Sequence, residues 1–263
     1  MKKFFALILL LAVGLSAQKL TIQGSTTVLP IAQAAAEAYM DNNPDANITV
    51  RGGGSGTGIA ALIDGATDIA DASRPMKDKE IKTAREKGVN PVAHIVARDG
   101  IAVIVHPENP INAISLDDIK AIYTGKISRW DNIGGKGTIV VVSRDVASGT
   151  FEAFNELALG GAKLTDAALM LASNLEVART VAQTPGAIGY IGLGYLTDGI
   201  KALKVEGIKA SEETVRDNTY PLARPLFMYT KGAPKGLAKS FIDFVESIAG
   251  QKIVKEAGFV PVK

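Results

Sequence analysis

The chain has 263 residues, with 29 Lys+Arg, 27 Asp+Glu and no cysteine. The lack of cysteine excludes disulfides, thiolate metal sites and cysteine nucleophiles. Without Lys2 and Lys3 the charges balance at 27 each, which argues against a nucleic-acid binder or a membrane-surface protein held by bulk positive charge.

Residues 1–17, MKKFFALILLLAVGLSA, read as a secretory signal peptide: a basic start, a short apolar run from Phe4 to Val13, and small residues from Gly14 to Ala17. The run is shorter than the ~20 residues that span a bilayer. With no lipid-anchor cysteine at the cut, the expected location is the periplasm. The 246 residues that remain can bury a large core, as one domain or two lobes.

In chain order, KLTIQG (19–24) predicts a strand and 28–42 a helix with Leu29, Ile31, Ala35, Ala38 and Tyr39 near one face. ANITVRG (46–52) predicts a strand, 56–64 a short helix, DIADAS (68–73) a strand, and about 77–87 a charged helix. Residues 92–107 form a long β stretch with a break near Asp99-Gly100. Ser115 to Tyr123 predicts a helix, with Ser115 as N-cap and Asp117 and Asp118 in the first turn. TIVVVSR (138–144) suits a strand buried on both faces. Helices are expected at about 151–159, 164–171 and 176–183, a strand in 187–196, a last long strand in 222–230, and mostly helix over 234–257. The alternation predicts α/β architecture with mainly parallel sheets. The long β stretches 92–107 and 222–230 are where the chain would cross between lobes, giving lobe I as 18–98 plus 225–263 and lobe II as 99–224. A single doubly wound domain is the alternative.

Three segments repeat one design, a strand, then small hydroxyl and glycine residues, then a helix: GSTTVLP (24–30), RGGGSGTGI (51–59) and SRDVASGTF (143–151). A helix start leaves backbone N–H groups unpaired and carries positive partial charge. Small residues let an oxyanion approach those groups without any lysine. Ser and Thr are also ordinary N-caps, so one such segment says little. Three in series say more, because parallel α/β sheets gather these loops at the carboxyl ends of their strands. Arg144 can give two parallel hydrogen bonds to an oxyanion, with Asp145 placed to hold the guanidinium. A fourth segment, DIADASRPM, ends a strand with Ser73. Asp71 and Arg74 are expected as solvated charges or as partners of each other, with Asp71 turned to the other side of the strand from Ser73.

Nucleotide-binding glycine patterns fail: residues 52–58 fit neither GxGxxG nor a P-loop, since no lysine follows the glycines. Ser55 and Ser148 do not sit in GxSxG elbows. The only histidines are His94 and His106, read as ordinary strand or turn residues. No clustered metal ligands are visible, and Trp130 and the tyrosines read as packing residues.

At GSTTVLP, GGGSGTGI, ASRPM and SRDVASGTF the chain resembles the PstS-like phosphate-binding proteins of phosphate ABC transporters. Further stretches, SLDDIKAIYTGKISRWDNIGG (115–135), PGAIGYIGLGYL (185–196) and YPLARPLFMYT (220–230), carry the resemblance over nearly the whole chain. It implies a two-lobed type II periplasmic binding protein fold, each lobe a mainly parallel sheet flanked by helices, joined by two crossing strands. Carried over by position, it implies phosphate-binding roles for Thr26, Thr27 and Ser55, for Ser73, and for Arg144, Ser148, Gly149 and Thr150 from the other lobe. Ser25 lies beside them as a turn residue. Where the best-known form of the family has an aspartate that accepts the proton of phosphate, this chain has Ser73, so sulfate or molybdate stays an alternative guest. The resemblance further implies a monomer that closes on the anion and delivers it to membrane permease subunits, with no enzyme activity, no cofactor, no metal and no nucleic-acid partner. A secreted phosphatase and a sensor-feeding binding module are the rival functions.

Overall fold

The computed structural model describes residues 18–263. The leader reading of residues 1–17 lies outside the described residues. The elements run β1 (Gln18–Gly24), α1 (Leu29–Asn42), β2 (Ala46–Arg51), α2 (Ser55–Asp64), β3 (Ile69–Ala72), α3 (Asp78–Glu86), β4 (Val92–Val105), β5 (Ala113–Ile114) and α4 (Leu116–Tyr123). There follow β6 (Val140–Arg144), α5 (Gly149–Phe154), β7 (Leu169–Leu171), α6 (Asn174–Gln183), β8 (Ala187–Gly192), β9 (Lys201–Ala202), β10 (Lys204–Val205), α7 (Glu212–Arg216), β11 (Ala223–Thr230), α8 (Gly236–Glu246) and α9 (Ile248–Glu256).

The strands join in the order β2-β1-β3-β11-β4-β8-β6-β7. The outer strands pair in parallel: β1 with β2 and β3, and β6 with β7 and β8. The two central strands, β4 and β11, run antiparallel to each other and to their neighbours. This is the α/β architecture expected, with parallel sheets on either side of two crossing strands.

Burial follows the periodicity that predicted the elements. In β1 the alternate residues Leu20 and Ile22 are buried, as a half-buried strand requires. The buried side of α1 is Ile31, Ala32, Ala35 and Ala36; it shares Ile31 and Ala35 with the expected face and takes Ala32 and Ala36 in place of Leu29, Ala38 and Tyr39, which are half-buried. One core cluster is built from residues 101–222 with Val260, around Tyr123, Trp130, Phe154 and Tyr190. Two others are built from residues 20–97 and 226–259, on opposite faces of the β1–β3 sheet.

Two expectations give way to tertiary context. β4 is unbroken through Asp99-Gly100, because both residues pair with β11. Residues 164–171, read as a helix, end instead in the short strand β7, which pairs in parallel with β6. A run of Ala, Leu and Met has helical propensity, but an open sheet edge offers it backbone partners. Pro225 lies in β11, where a missing N–H is normally excluded. There β11 pairs only with β4, since β3 reaches only Phe227 to Thr230, and a register shift follows at Leu226/Phe227.

Candidate oxyanion site

The loops that leave the strand ends converge. Gly24 carries φ +148 and lies so close to β3 that a Cβ would sit 2.1 Å from the Asp71 carbonyl oxygen, so only glycine lets the first loop turn there. Ser25, read as a turn residue, accepts the Thr27 N–H at 3.1 Å. Gly54 ends the second loop, and Ser55 opens α2. Ser148 caps α5 by accepting the Phe151 N–H at 3.2 Å, which leaves its hydroxyl proton to be donated elsewhere. The N–H groups of Gly149 and Thr150, the first two residues of α5, have no acceptor within their own helix.

All eight residues assigned by position are brought together, and their side chains are buried: Thr26, Thr27, Ser55, Ser73, Arg144, Ser148 and Thr150 are each at most 8 % exposed, and Gly149 is buried beside them. Ser55 Oγ accepts the Ser73 N–H at 3.0 Å and lies 3.4 Å from Ser73 Oγ. Thr27 Oγ1 and Thr150 Oγ1, 123 residues apart, are 2.9 Å from each other. The second and third loops also touch through backbone, Gly56 N–H donating to the Ala147 carbonyl at 3.0 Å. Gly149 sits against the opposite loop, where a Cβ would come within 2.2 Å of Ser55 Oγ and 2.9 Å of Ser73 Oγ.

Arg144 is the charged centre. It is 1 % exposed, and burial pulls its pKa below the ordinary arginine value. Its Nε donates to the Leu171 carbonyl at 3.1 Å, and its Nη2 to the Ala172 carbonyl at 2.7 Å and to Thr26 Oγ1 at 3.1 Å. Among the described residues Nη1 is buried with no acceptor. Tyr190 fixes the strand end: its hydroxyl accepts the Arg144 N–H at 3.1 Å and meets Ser143 Oγ at 2.8 Å. Burial raises the Tyr190 phenol to about 12, so it stays protonated and can donate to Ser143. Asp145 does not hold the guanidinium by a hydrogen bond, as had been expected. It accepts the Ala147 N–H at 3.0 Å and shapes the loop.

The expectation for Asp71 and Arg74 fails in both parts. Arg74 forms a two-bond fork with Glu80, at 2.7 Å on each side, and pairs with Glu152. Lys77 Nζ joins Glu152 at 2.9 Å, so a small ion cluster ties the loop after β3 to α5 beside the cleft. Asp71 is fully buried, both oxygens lack a partner among the described residues, and burial holds its carboxyl pKa well above the usual range. Residues two apart on a strand share a face, so the expected opposite orientation was the wrong reading of the period. Asp71 stands opposite Met228 in the β3–β11 register.

Three participants were not found from sequence. Asp99 and Arg224 face each other directly in the β4–β11 register. Arg224 Nε and Nη2 donate to Asp99 Oδ2 at 3.0 and 2.8 Å, and the Leu193 N–H donates to Oδ1 at 2.8 Å. Burial pushes the Asp99 carboxyl up and the Arg224 guanidinium down, and each partner works against that shift in the other. Arg224 also donates to Thr150 Oγ1 at 3.1 Å and to the Ser73 carbonyl at 3.1 Å. The third, Asn174 at the start of α6, donates to Thr26 and Thr27 Oγ1 at 3.2 and 3.0 Å. A charge of each sign inside two apolar strands was a usable signal for the pair. Asn174 offered none, since it follows an ordinary N-cap, Ser173.

In comparison with known proteins, the PBP superfamily domain matches residues 12–247. The chain is 41% identical over 246 residues to the phosphate-binding protein PstS of Bacillus subtilis, covering 92% of this chain and 80% of that one. It is 32% identical to the phosphate-binding protein PstS of Borreliella burgdorferi, with both chains covered in full. Its structure resembles a phosphate ABC transporter substrate-binding protein with bound phosphate from Clostridium perfringens, at a TM-score of 0.87 and 37% identity, covering 94% of this chain and all of that one.

Proposed function

The chain belongs to the PstS-like family of phosphate-binding proteins, with the type II periplasmic binding fold, and from that premise we propose that it captures inorganic phosphate between two lobes and delivers it to the membrane permease of an ABC transporter. One observation carries the reading: a buried guanidinium, Arg144, leaves Nη1 without an acceptor among the described residues while its Nη2 reaches Thr26 Oγ1 of the first loop, in a site whose Ser55, Ser73, Ser148 and Thr150 are also buried. A buried charge is stable only when paired and hydrogen-bonded, and a compact oxyanion supplies both.

The division into 18–98 plus 225–263 and 99–224 is supported by the segregated core clusters, whose members change over near residues 98–101 and 223–226. The crossing strands β4 and β11 serve as the hinge. The anion lands on one set of loops and the other closes over it, since contacts made only in the closed state favour closure. The protein acts as a monomer outside the cytoplasm, with no nucleic-acid partner. Among the described residues no helix is long and apolar enough to cross a membrane.

A hydrolytic role lacks support. His94 Nε2 engages Thr230 Oγ1 at 3.1 Å, and His106 Nδ1 accepts the Glu108 N–H at 3.2 Å, so neither histidine activates a cleft hydroxyl. Calorimetric titration with phosphate, sulfate and molybdate tests the proposal. Binding of phosphate with a Kd of 1 μM or tighter, about −8 kcal/mol or more favourable, is expected. Saturable heat with none of the three would refute the binding role. Tighter binding of sulfate or molybdate than of phosphate would reassign the guest, a choice that Ser73 in place of an aspartate does not fix.

A further inference from the structure

Resting on the phosphate-binding reading, we propose that Asn174 and Arg224 are positioning residues that fill the acceptor lone pairs of the cleft threonines and so turn their hydroxyls into obligate donors toward the anion. A threonine hydroxyl carries one proton and can accept two. The Asn174 amide orientation is fixed by chemistry: its Oδ1 accepts the Gly192 N–H at 3.1 Å, so Nδ2 faces the loop. Both Nδ2 hydrogens are used, one on Thr26 Oγ1 and one on Thr27 Oγ1.

Thr26 Oγ1 therefore receives two donors, Asn174 Nδ2 at 3.2 Å and Arg144 Nη2 at 3.1 Å. Its own proton can only be given away. Thr27 Oγ1 receives Asn174 at 3.0 Å and lies 3.4 Å from Arg224 Nη2, whose two hydrogens serve Asp99 Oδ2 at 2.8 Å and Thr150 Oγ1 at 3.1 Å, so that one of them is at most shared with Thr27. In the proposed arrangement its proton is given to Thr150 Oγ1, 2.9 Å away. Thr150 Oγ1, already accepting from Arg224 at 3.1 Å, is filled in turn and donates outward. The chain of bonds sends two hydroxyl protons, those of Thr26 and Thr150, to a guest that can accept them. Asp99 keeps Arg224 charged and fixed, so its guanidinium orients hydroxyls without adding an unpaired charge to the cleft.

The test is a double-mutant cycle on phosphate affinity, read by calorimetry. Asn174→Ala is expected to weaken binding by about tenfold in the wild-type protein. In a Thr26→Val background, where the shared hydroxyl is gone, the same change should cost at least about threefold less. An equal cost in both backgrounds would overturn the proposal, because a side chain that touches the anion directly or only fills space loses as much with or without Thr26. Arg224→Lys, which keeps a cation beside Asp99, is paired with Thr150→Val in the same way. If Asn174→Ala lowers the melting temperature, Asn174→Ser, which keeps one donor, repeats the cycle. Absence of phosphate binding by the wild type would instead defeat the underlying functional reading and is seen in the first titration.

Discussion

Adding one methyl group at Gly149 should block closure of the cleft. The new Cβ would stand 2.2 Å from Ser55 Oγ and 2.8 Å from Ser55 Cβ. Rotating Ser55 about its Cα–Cβ bond removes the first clash but gives up the bond from the Ser73 N–H. It cannot remove the second, because Cβ does not move with that rotation. Carbon atoms pack at about 3.5–4.0 Å, so the loops must part by about 0.7 Å or more at the point where they meet. At that separation two or three of the charge-assisted bonds to the anion are lost or stretched, each worth roughly 1.5–3 kcal/mol. Gly149→Ala should therefore weaken phosphate binding by ~10²- to 10⁴-fold. Because the clash is between loops proposed to lie on different lobes, the unliganded protein should melt as before. Calorimetry and thermal unfolding without phosphate check both halves. Binding within threefold of wild type would show that Gly149 and Ser55 do not meet in the liganded protein, and would refute the reasoning.

Other substitutions test separate parts of the site. Arg144→Ala removes the buried cation and should weaken phosphate binding by roughly 10²- to 10³-fold, the cost of stranding a buried charge, as read by the same titration. Asp71 binds a proton in the folded protein at pH values where the unfolded chain, with a carboxyl near 3.9, has lost it. Stability from this group thus falls as pH rises from about 4 toward the raised folded value. Asp71→Asn should raise the melting temperature, with the gain growing across that window, and a gain that does not vary with pH would contradict the assignment. Glu152→Gln breaks the cluster with Arg74 and Lys77. It should weaken phosphate binding modestly at high ionic strength, where only the lost tie between the loops counts, and make binding more dependent on salt, because Arg74 and Lys77 are left with uncovered positive charge, measured by titration at low and high ionic strength.

The parts of the site that repeat a local pattern were legible in the sequence. The loops after β1, β2 and β6 announce themselves by Ser, Thr and Gly between an apolar run and a helix, and the structure brings all three together. The residues that depend on register were not legible. Asp99 and Arg224 are 125 residues apart, and only the pairing of β4 with β11 sets them opposite each other. Asn174 enters the site because β7 docks on β6, and the local sequence of 164–171 favours a helix over that strand. Arg144 shows both cases: its position after a strand marked it as an anion ligand, while the carbonyls of Leu171 and Ala172 that hold it come from the segment whose fold was misread.

The most direct test of the account is a crystal structure of the protein grown with inorganic phosphate. The account predicts one phosphate enclosed between the loops, with an oxygen within hydrogen-bond distance of Arg144 Nη1 and others meeting the hydroxyls of Thr26, Ser55 and Thr150. Phosphate bound elsewhere, or Arg144 Nη1 turned to water beside an empty cleft, would contradict it.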